Sequence, residues 1–298
     1  MILVMLERAA LRERLGSARY VEGDDIAALP ADIRGRIRSV ITTGMQQLGA
    51  EQFDLLPQLG LVVAIGAGFE SVDVGALKAR GIQLATGGGL NSDDVAEFAV
   101  GQLIALCRGL PEANAVVREG RWPPGHLRVA RRSVASRSVG IVGLGQIGLA
   151  IAERLVPFKC QIAWTGPRPK PDAPFRYVPD ILDLARQSDV LMIAAPLNAD
   201  TQHMIDAAVL DALGPEGLIV NVARGGVVDE DALIAALCTH RIAGAALDVF
   251  AQEPTQPKKW ADVPNALLSP HIAGVTIEAM NAVYDQAVER AVAFIGDS

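Results

Sequence analysis

The chain has 298 residues, half of them hydrophobic, so it can bury a large core and is long enough for about two domains. A formal net charge of −7 opposes a polyanion as the main partner, because nucleic-acid binders usually present a net basic face. Arg118, Arg121, Arg128, Arg131, Arg132 and Arg137 form a local basic stretch that reads as a solvated or subunit-facing arm. Cys107, Cys160 and Cys238 are odd in number, far apart and without C-x-x-C spacing, so neither a disulfide framework nor a zinc site is indicated and they read as reduced, buried thiols. The apolar run 1–6 meets Glu7 and Arg8 at once, too soon for a signal-peptide core, and no segment offers roughly 18 uninterrupted apolar residues. A cytoplasmic protein with no membrane, metal or nucleic-acid partner is expected.

In chain order, 2–6, 39–42, 61–64 and 82–85 predict the strands of a smaller α/β unit. Ser92, Asp93 and Asp94 then supply helix-start chemistry for an apolar-rich stretch, 95–110, that leads into a second domain. From residue 139 onward short apolar runs alternate with amphipathic segments, the pattern of a parallel sheet covered by helices. Strands are predicted at 139–142, 161–164, 190–194, 218–222 and 242–247, and helices at 147–156, 181–187 and 231–237. Thr276 can cap a last helix in which Met280, Val283, Tyr284, Ala287, Val288 and Ala291 share one face, and this tail is expected to return to the first domain. The fold class is therefore α/β: two doubly wound parallel-sheet domains, one of Rossmann type for a cofactor and one smaller, flavodoxin-like, for the substrate. The expected boundaries are 1–98 with 272–298 for the substrate domain and 99–271 for the dinucleotide-binding domain.

Gly143-Leu144-Gly145-Gln146-Ile147-Gly148 is a G-x-G-x-x-G element between a predicted strand and a predicted helix. The first glycine permits a tight turn, the second lets backbone approach a pyrophosphate, and the third allows close helix–strand packing. Amides at the helix start, from Gln146 and Ile147 among others, then face phosphate charge. About 20 residues on, where an NAD site usually presents an acidic residue to the ribose, the chain reads Trp164-Thr165-Gly166-Pro167-Arg168-Pro169-Lys170. Thr165 can donate a hydrogen bond, and Arg168 and Lys170 can supply positive charge to a 2′-phosphate. NADP(H) is the expected cofactor, with NAD(H) as the alternative; a Pro-rich loop with solvated charges is the bland reading.

Three later segments place polar residues past predicted strand ends, where a parallel sheet has its ligand crevice. They are Asn221-Val222-Ala223-Arg224-Gly225-Gly226, Leu247-Asp248 through Glu253-Pro254, and Ser269-Pro270-His271-Ile272-Ala273-Gly274. With these, the chain resembles the D-isomer-specific 2-hydroxyacid dehydrogenase family over nearly its whole length. Within that family it most resembles the glyoxylate, hydroxypyruvate and hydroxyphenylpyruvate reductases.

The resemblance implies His271 as general acid/base, Glu253 as its partner, and Arg224 as the residue that binds substrate and polarises its carbonyl. The chemistry asks for such a set: hydride delivery to a ketone builds negative charge on oxygen, and a carboxylate beside an imidazole keeps the donor protonated. The planar guanidinium of Arg224 suits a carboxylate or a developing oxyanion. The resemblance further implies that Asp248 contacts the nicotinamide carboxamide and that Ala195, Pro196 and Thr201 lie beside the adenosine and pyrophosphate. It adds Val222, Ala223, Arg224, His271 and Gly274 to the cofactor's contacts. Thr201 could equally be a helix N-cap. In the first domain, the loop Gly66-Ala67-Gly68-Phe69-Glu70 matches one whose amides bind the substrate carboxylate, which makes Ala67 and Gly68 substrate-binding.

Met45, Phe69 and Trp122 are candidates to shape the pocket. His126, His203 and His240 read as structural. Gln146 stands where many relatives carry Arg, so one charge near the pyrophosphate is missing. The family also implies a homodimer, with Trp122 a candidate to reach the neighbouring subunit. The expected function is reduction of a small 2-keto acid to the D-2-hydroxy acid; the alternative is a dinucleotide-sensing protein of the corepressor type. Formate oxidation is disfavoured because formate enzymes of the family pair the histidine with Gln rather than Glu.

Overall fold

Short apolar runs become strands buried on both faces, as parallel sheets require when helices cover each side. The computed structural model describes residues 1–298 apart from 7, 8, 45, 67, 123–129, 297 and 298. Of the sequence expectations, those on Met45, Ala67, His126 and Arg128 therefore lie outside the described residues. Two compact units divide the chain: Met1–Asn91 with Val275–Ser298, and Ser92–Gly274. The division falls at the start of the helix Ser92–Arg108, not inside it at 98/99. The helix buries Val95, Ala96, Ala99 and Leu103 as one stripe in a single core, so it goes whole to the second unit.

In the first unit β1 (Ile2–Val4), β2 (Tyr20–Glu22), β3 (Ser39–Thr42), β4 (Leu61–Ala64) and β5 (Gln83–Thr86) form a parallel sheet in the order β2-β1-β3-β4-β5. This is the flavodoxin-like order. Successive side chains point to opposite faces. Leu3, Val40 and Val62 thus join Phe53, Leu56 and Leu77 on one side. Ile2, Val4, Ile41 and Val63 meet the helix Ile277–Gly296 on the other, through Val283, Tyr284, Ala287, Val288 and Ala291. Most helical stability in a protein comes from packing an apolar face rather than from intrinsic propensity. Burial fixes this helix, with Val283 and Val288 each contributing roughly 1.5–3 kcal/mol. Thr276 caps it as expected, its hydroxyl accepting the Ala279 N–H at 3.0 Å.

The second unit holds β6 (Ser138–Val142), β7 (Gln161–Thr165), β8 (Arg176–Tyr177), β9 (Val190–Ile193), β10 (Leu218–Asn221), β11 (Gly244–Leu247) and β12 (Ala266–Leu268). All are parallel, in the order β12-β11-β10-β9-β6-β7-β8. The chain runs outward from β6 to β8, then returns to β9 and runs the other way. That reversal opens a crevice at the carboxyl ends of β6 and β9, the Rossmann-type arrangement. β2, β8 and β12 were not expected: each has two or three residues at a sheet edge and carries no fully buried side chain, so no apolar run announces it. Among the described residues no helix is long and apolar enough to cross a membrane, and no cluster of three or more His, Cys, Asp or Glu could hold a metal.

Candidate active site

The glycine loop follows β6 directly. Gly143 has φ +92, a region that L side chains rarely adopt, and a Cβ there would lie 2.8 Å from the Ala195 backbone. Gly148 sits on the helix Gln146–Leu155, where a Cβ would be 2.0 Å from the Gly143 carbonyl oxygen. A Cβ on Gly145, in contrast, would meet nothing within 4 Å. Two glycines are required by packing, and the third borders open space at a ten-residue helix start, which fits a pyrophosphate. Gln146 and Ile147 open that helix, with the Gln146 side chain exposed.

At the end of β7 the expectations divide. Thr165 is buried, and its hydroxyl donates to the Pro179 carbonyl at 3.3 Å, so its proton is spent inside the protein rather than held out for a cofactor. Arg168 is exposed. Lys170 does not stay beside it. Its ammonium donates to the Leu144 carbonyl at 2.5 Å, which places a positive charge on the glycine loop, where Gln146 supplies none. Trp164 and Tyr177 hold this turn from beneath: their ring centroids are 4.7 Å apart, the indole N–H donates to Phe175 O, and the Tyr177 hydroxyl donates to Gly166 O. Past β9, Ala195 packs under Gly143, and the Thr201 hydroxyl donates to Pro196 O at 2.6 Å while accepting the Asn198 N–H. No helix begins at Thr201; it closes a turn.

The loops after β10, β11 and β12 carry the polar set. Asn221, buried at the end of β10, accepts the Ala223 N–H at 3.0 Å and donates to the Arg224 carbonyl at 3.1 Å, folding the turn that presents Arg224. Val222 and Ala223 are buried, and the Ala223 carbonyl accepts Arg224 Nη1 at 2.7 Å. Asp248, 1% exposed at the end of β11, accepts from the Ser269 hydroxyl at 2.6 Å and from the Ile272 and Ala273 N–H groups at 3.0 and 2.8 Å. Its own carbonyl accepts the His271 N–H at 2.8 Å. Asp248 therefore clamps the loop around His271, whose backbone φ is +54. That loop runs on to Gly274, the last residue of the unit.

His271 Nδ1 lies 2.6 Å from Glu253 Oε2, and the other Glu253 oxygen accepts the Phe250 N–H at 2.9 Å. Because an ionised carboxylate only accepts, the shared proton belongs on Nδ1, which leaves Nε2 to face a reactant. The hydrogen bond and charge of Glu253 raise the His271 pKa above its ordinary value, outweighing burial and the nearby Arg224 charge. For Glu253, burial opposes ionisation. The hydrogen bonds from His271 and Phe250, with the charges of His271 and Arg224, nevertheless hold its carboxyl below the usual range. Arg224, Glu253 and His271 are thus brought within electrostatic reach of one another.

In the first unit the strand ends meet through glycines. Gly66 has φ +86, and its carbonyl accepts the Gly87 N–H at 2.7 Å. A Cβ on Gly44 would sit 2.1 Å from Gly68 O. Gly44 and Gly87, both unremarked in the sequence, wall the loop that contains Gly68. Phe69 is partly exposed beside it, and Trp122 in the second unit is 70% exposed. His203 and His240 both adopt positive φ in turns, and the His203 N–H donates to the Gly226 carbonyl at 2.8 Å, two residues past Arg224.

Residues 100–273 match the family model described as D-isomer specific 2-hydroxyacid dehydrogenase, NAD binding domain. The chain belongs to the D-isomer-specific 2-hydroxyacid dehydrogenase family. Among family members, glyoxylate/hydroxypyruvate reductase A HPR2 of Arabidopsis thaliana is 38% identical over 93% of this chain and 88% of the relative. A 2-ketogluconate reductase of Gluconobacter oxydans is 36% identical over 89% and 86%. The crystal structure of an NADPH-dependent glyoxylate/hydroxypyruvate reductase from Sinorhizobium meliloti, in complex with NADP and malonate, superposes with a TM-score of 0.89 at 37% identity, covering 96% of this chain and 91% of that one.

Sequence reasoning missed the supports of this dehydrogenase site. Gln102 donates to the Ser269 hydroxyl at 3.1 Å, and Glu230, only 8% exposed, accepts the Ala251 N–H at 2.8 Å while pairing with Lys259 at 2.8 Å. For Glu230 a signal existed: an acidic residue in the first turn of a helix, next to a capping Asp229, reads as ordinary helix chemistry and hides a second use.

Proposed function

We propose that this dehydrogenase reduces a small 2-keto acid of the glyoxylate or hydroxypyruvate kind to its D-2-hydroxy acid with NADPH, and that His271 donates the proton. The observation that carries the reading is the 2.6 Å contact between His271 Nδ1 and Glu253, with the Arg224 charge felt by both. When bound, the nicotinamide supplies the hydride. Arg224 holds the substrate and offers its guanidinium to the oxygen as negative charge gathers there. His271, kept protonated by Glu253, transfers its Nε2 proton to that oxygen and ends neutral, its Nδ1–H still on the carboxylate. Backbone amides of the loop containing Ala67 and Gly68 are assigned to the substrate carboxylate.

Gly143, Gly145 and Gly148 cradle the pyrophosphate, helped by the helix start at Gln146 and Ile147 and by the Lys170 ammonium. Ala195, Pro196 and Thr201 border it, while Val222, Ala223 and Gly274 border the nicotinamide end, near the clamp made by Asp248. NADPH over NADH is favoured by the lack of an acidic side chain at 164–170 and by the exposed Arg168; the Sinorhizobium relative is NADPH-dependent by name. A homodimer, in the cytoplasm where the reduced cofactor pool lies, completes the reading; exposed Leu110, Val117 and Trp122 offer an apolar face to a second copy. A dinucleotide sensor without turnover has no support, since the relatives are reductases by name.

The test is a steady-state screen of glyoxylate, hydroxypyruvate, pyruvate, phenylpyruvate and 2-ketogluconate with NADPH and with NADH. Turnover of at least one acid, faster with NADPH, is expected. Tight NADPH binding with no oxidation by any of them would overturn the reading.

A further inference from the structure

Of the three polar side chains assigned to the reduction, two rest on the backbone of Phe250, Glu253 through its N–H and Arg224 through its carbonyl, which is shared with the peptide joining Phe250 to Ala251. Glu253 accepts its hydrogen bond from the N–H of Phe250, just before that peptide. Arg224 is followed by Gly225, on which a Cβ would lie 1.9 Å from the Phe250 carbonyl carbon and 2.0 Å from its oxygen, so the backbone that presents Arg224 rests against the same group. His271 is tied to the Phe250 backbone, one bond removed from that peptide, through Glu253. The remaining polar group of the peptide is the Ala251 N–H, and Glu230 accepts it at 2.8 Å from another element, the first turn of the helix Glu230–Cys238.

We propose that Glu230 is a positioning residue for the reduction, holding the 250–251 peptide so that Arg224 and the His271–Glu253 pair keep their mutual geometry. A buried carboxylate is a costly anchor unless its charge is met. Here Lys259 meets it at 2.8 Å, and the helix start adds its own partial positive charge. Lys259 is in turn shared with exposed Asp231 at 2.9 Å, so the anchor is a three-residue unit of Glu230, Lys259 and Asp231. A charged hydrogen bond is stronger and stiffer than one to a neutral group, which suits a peptide whose small displacement would part Arg224 from Glu253. The inference rests on the function proposed above only for its kinetic reading.

The experiment uses the full chain as wild type, Glu230→Gln and Lys259→Met. It follows the His271 imidazole by NMR across pH with labelled histidine, identifies the signal with His271→Ala, and measures reduction kinetics in parallel. Loosening the anchor weakens the His271–Glu253 contact, so both variants should titrate His271 at lower pH than wild type. In kinetics, kcat should fall between about tenfold and 100-fold with the NADPH dissociation constant little changed. Lys259→Met separates positioning from simple charge, because removing a distant positive charge would by itself move the His271 titration upward. An upward or absent shift in a folded Lys259→Met protein, or wild-type titration and kcat in folded Glu230→Gln, overturns the proposal. Should Glu230→Gln fail to fold, Lys259→Met decides. Should wild type reduce none of the acids, the function reading fails, while the imidazole titration still judges Glu230.

Discussion

The two halves of the strand row in the second unit are built on opposite means. After β6, the loop works through missing side chains: Gly143 and Gly148 are there because a Cβ would collide with backbone. After β10, β11 and β12, the loops work through buried polar side chains, with Asn221, Asp248 and Glu230 each holding backbone amides that would otherwise be orphaned. The difference teaches that the edge proposed to bind cofactor and the edge proposed to react are stiffened by different means. A phosphate cradle needs room and amides; an acid/base pair needs a fixed distance.

His271→Ala is the strongest way to break the comparison. It should cost about 10²- to 10⁴-fold in reduction while fluorescence titration finds NADPH bound as before; turnover near normal would remove His271 from the chemistry. A pair of alanine substitutions then sets one edge against the other. Gly148→Ala and Gly225→Ala should each destabilise by about 1–3 kcal/mol or more through overpacking, read as lowered Tm. The first should weaken cofactor binding and the second chiefly kcat. Equal effects on cofactor affinity would dissolve the distinction.

Glu253→Gln probes the pH behaviour. With protonated His271 as the proposed donor, kcat/KM should decline as pH rises through the raised His271 pKa, and the variant should move that decline to lower pH. The same pair has a stability signature. The raised His271 pKa contributes stability that is full below the unfolded value and is lost as pH climbs through the folded one. The lowered Glu253 pKa contributes stability that is present above its unfolded value and is lost as pH drops through the folded one. Urea melts of wild type minus variant should therefore peak between the two. A difference that is flat with pH would deny the coupling.

Smaller effects are expected at the adenosine end. Arg168→Ala should weaken NADPH about tenfold and NADH little, as loss of one charged hydrogen bond implies; equal loss with both would show that Arg168 does not read the 2′-phosphate. Thr165→Val should cost about 1 kcal/mol of stability, the usual value of one hydrogen bond, and leave the NADPH-to-NADH ratio alone. A changed ratio would return its hydroxyl to the cofactor.

The long strands and the glycine loop were legible in the sequence because each rests on a local rule, a run of apolar residues or a required turn. Strands β3 and β4 match the expected 39–42 and 61–64, and β6 through β11, the short edge strand β8 aside, differ at their ends by only a residue or two. The edge strands were not legible, since their pairing comes from a neighbour rather than from their own two or three residues. The proposed set of Arg224, Glu253 and His271 came from motif and order, and the structure sets Glu253 against His271 at 2.6 Å. What could not be read was the scaffolding: that Asp248 spends its oxygens on the His271 loop, that Lys170 turns back to Leu144, and that Glu230 reaches Ala251 are contacts across 20 residues or more. Thr165 misled for the same reason, because its partner Pro179 is set by tertiary packing.

The helix Ile277–Gly296 covers one face of the sheet made by the chain's first residues. On a ribosome, the contiguous second unit, Ser92–Gly274, has all its strands and helices before that helix has been synthesised. Residues 1–91 are thus made before the second unit yet completed only after it, and until 277–296 emerge Ile2, Val4 and Val63 lack that helix's share of their apolar cover.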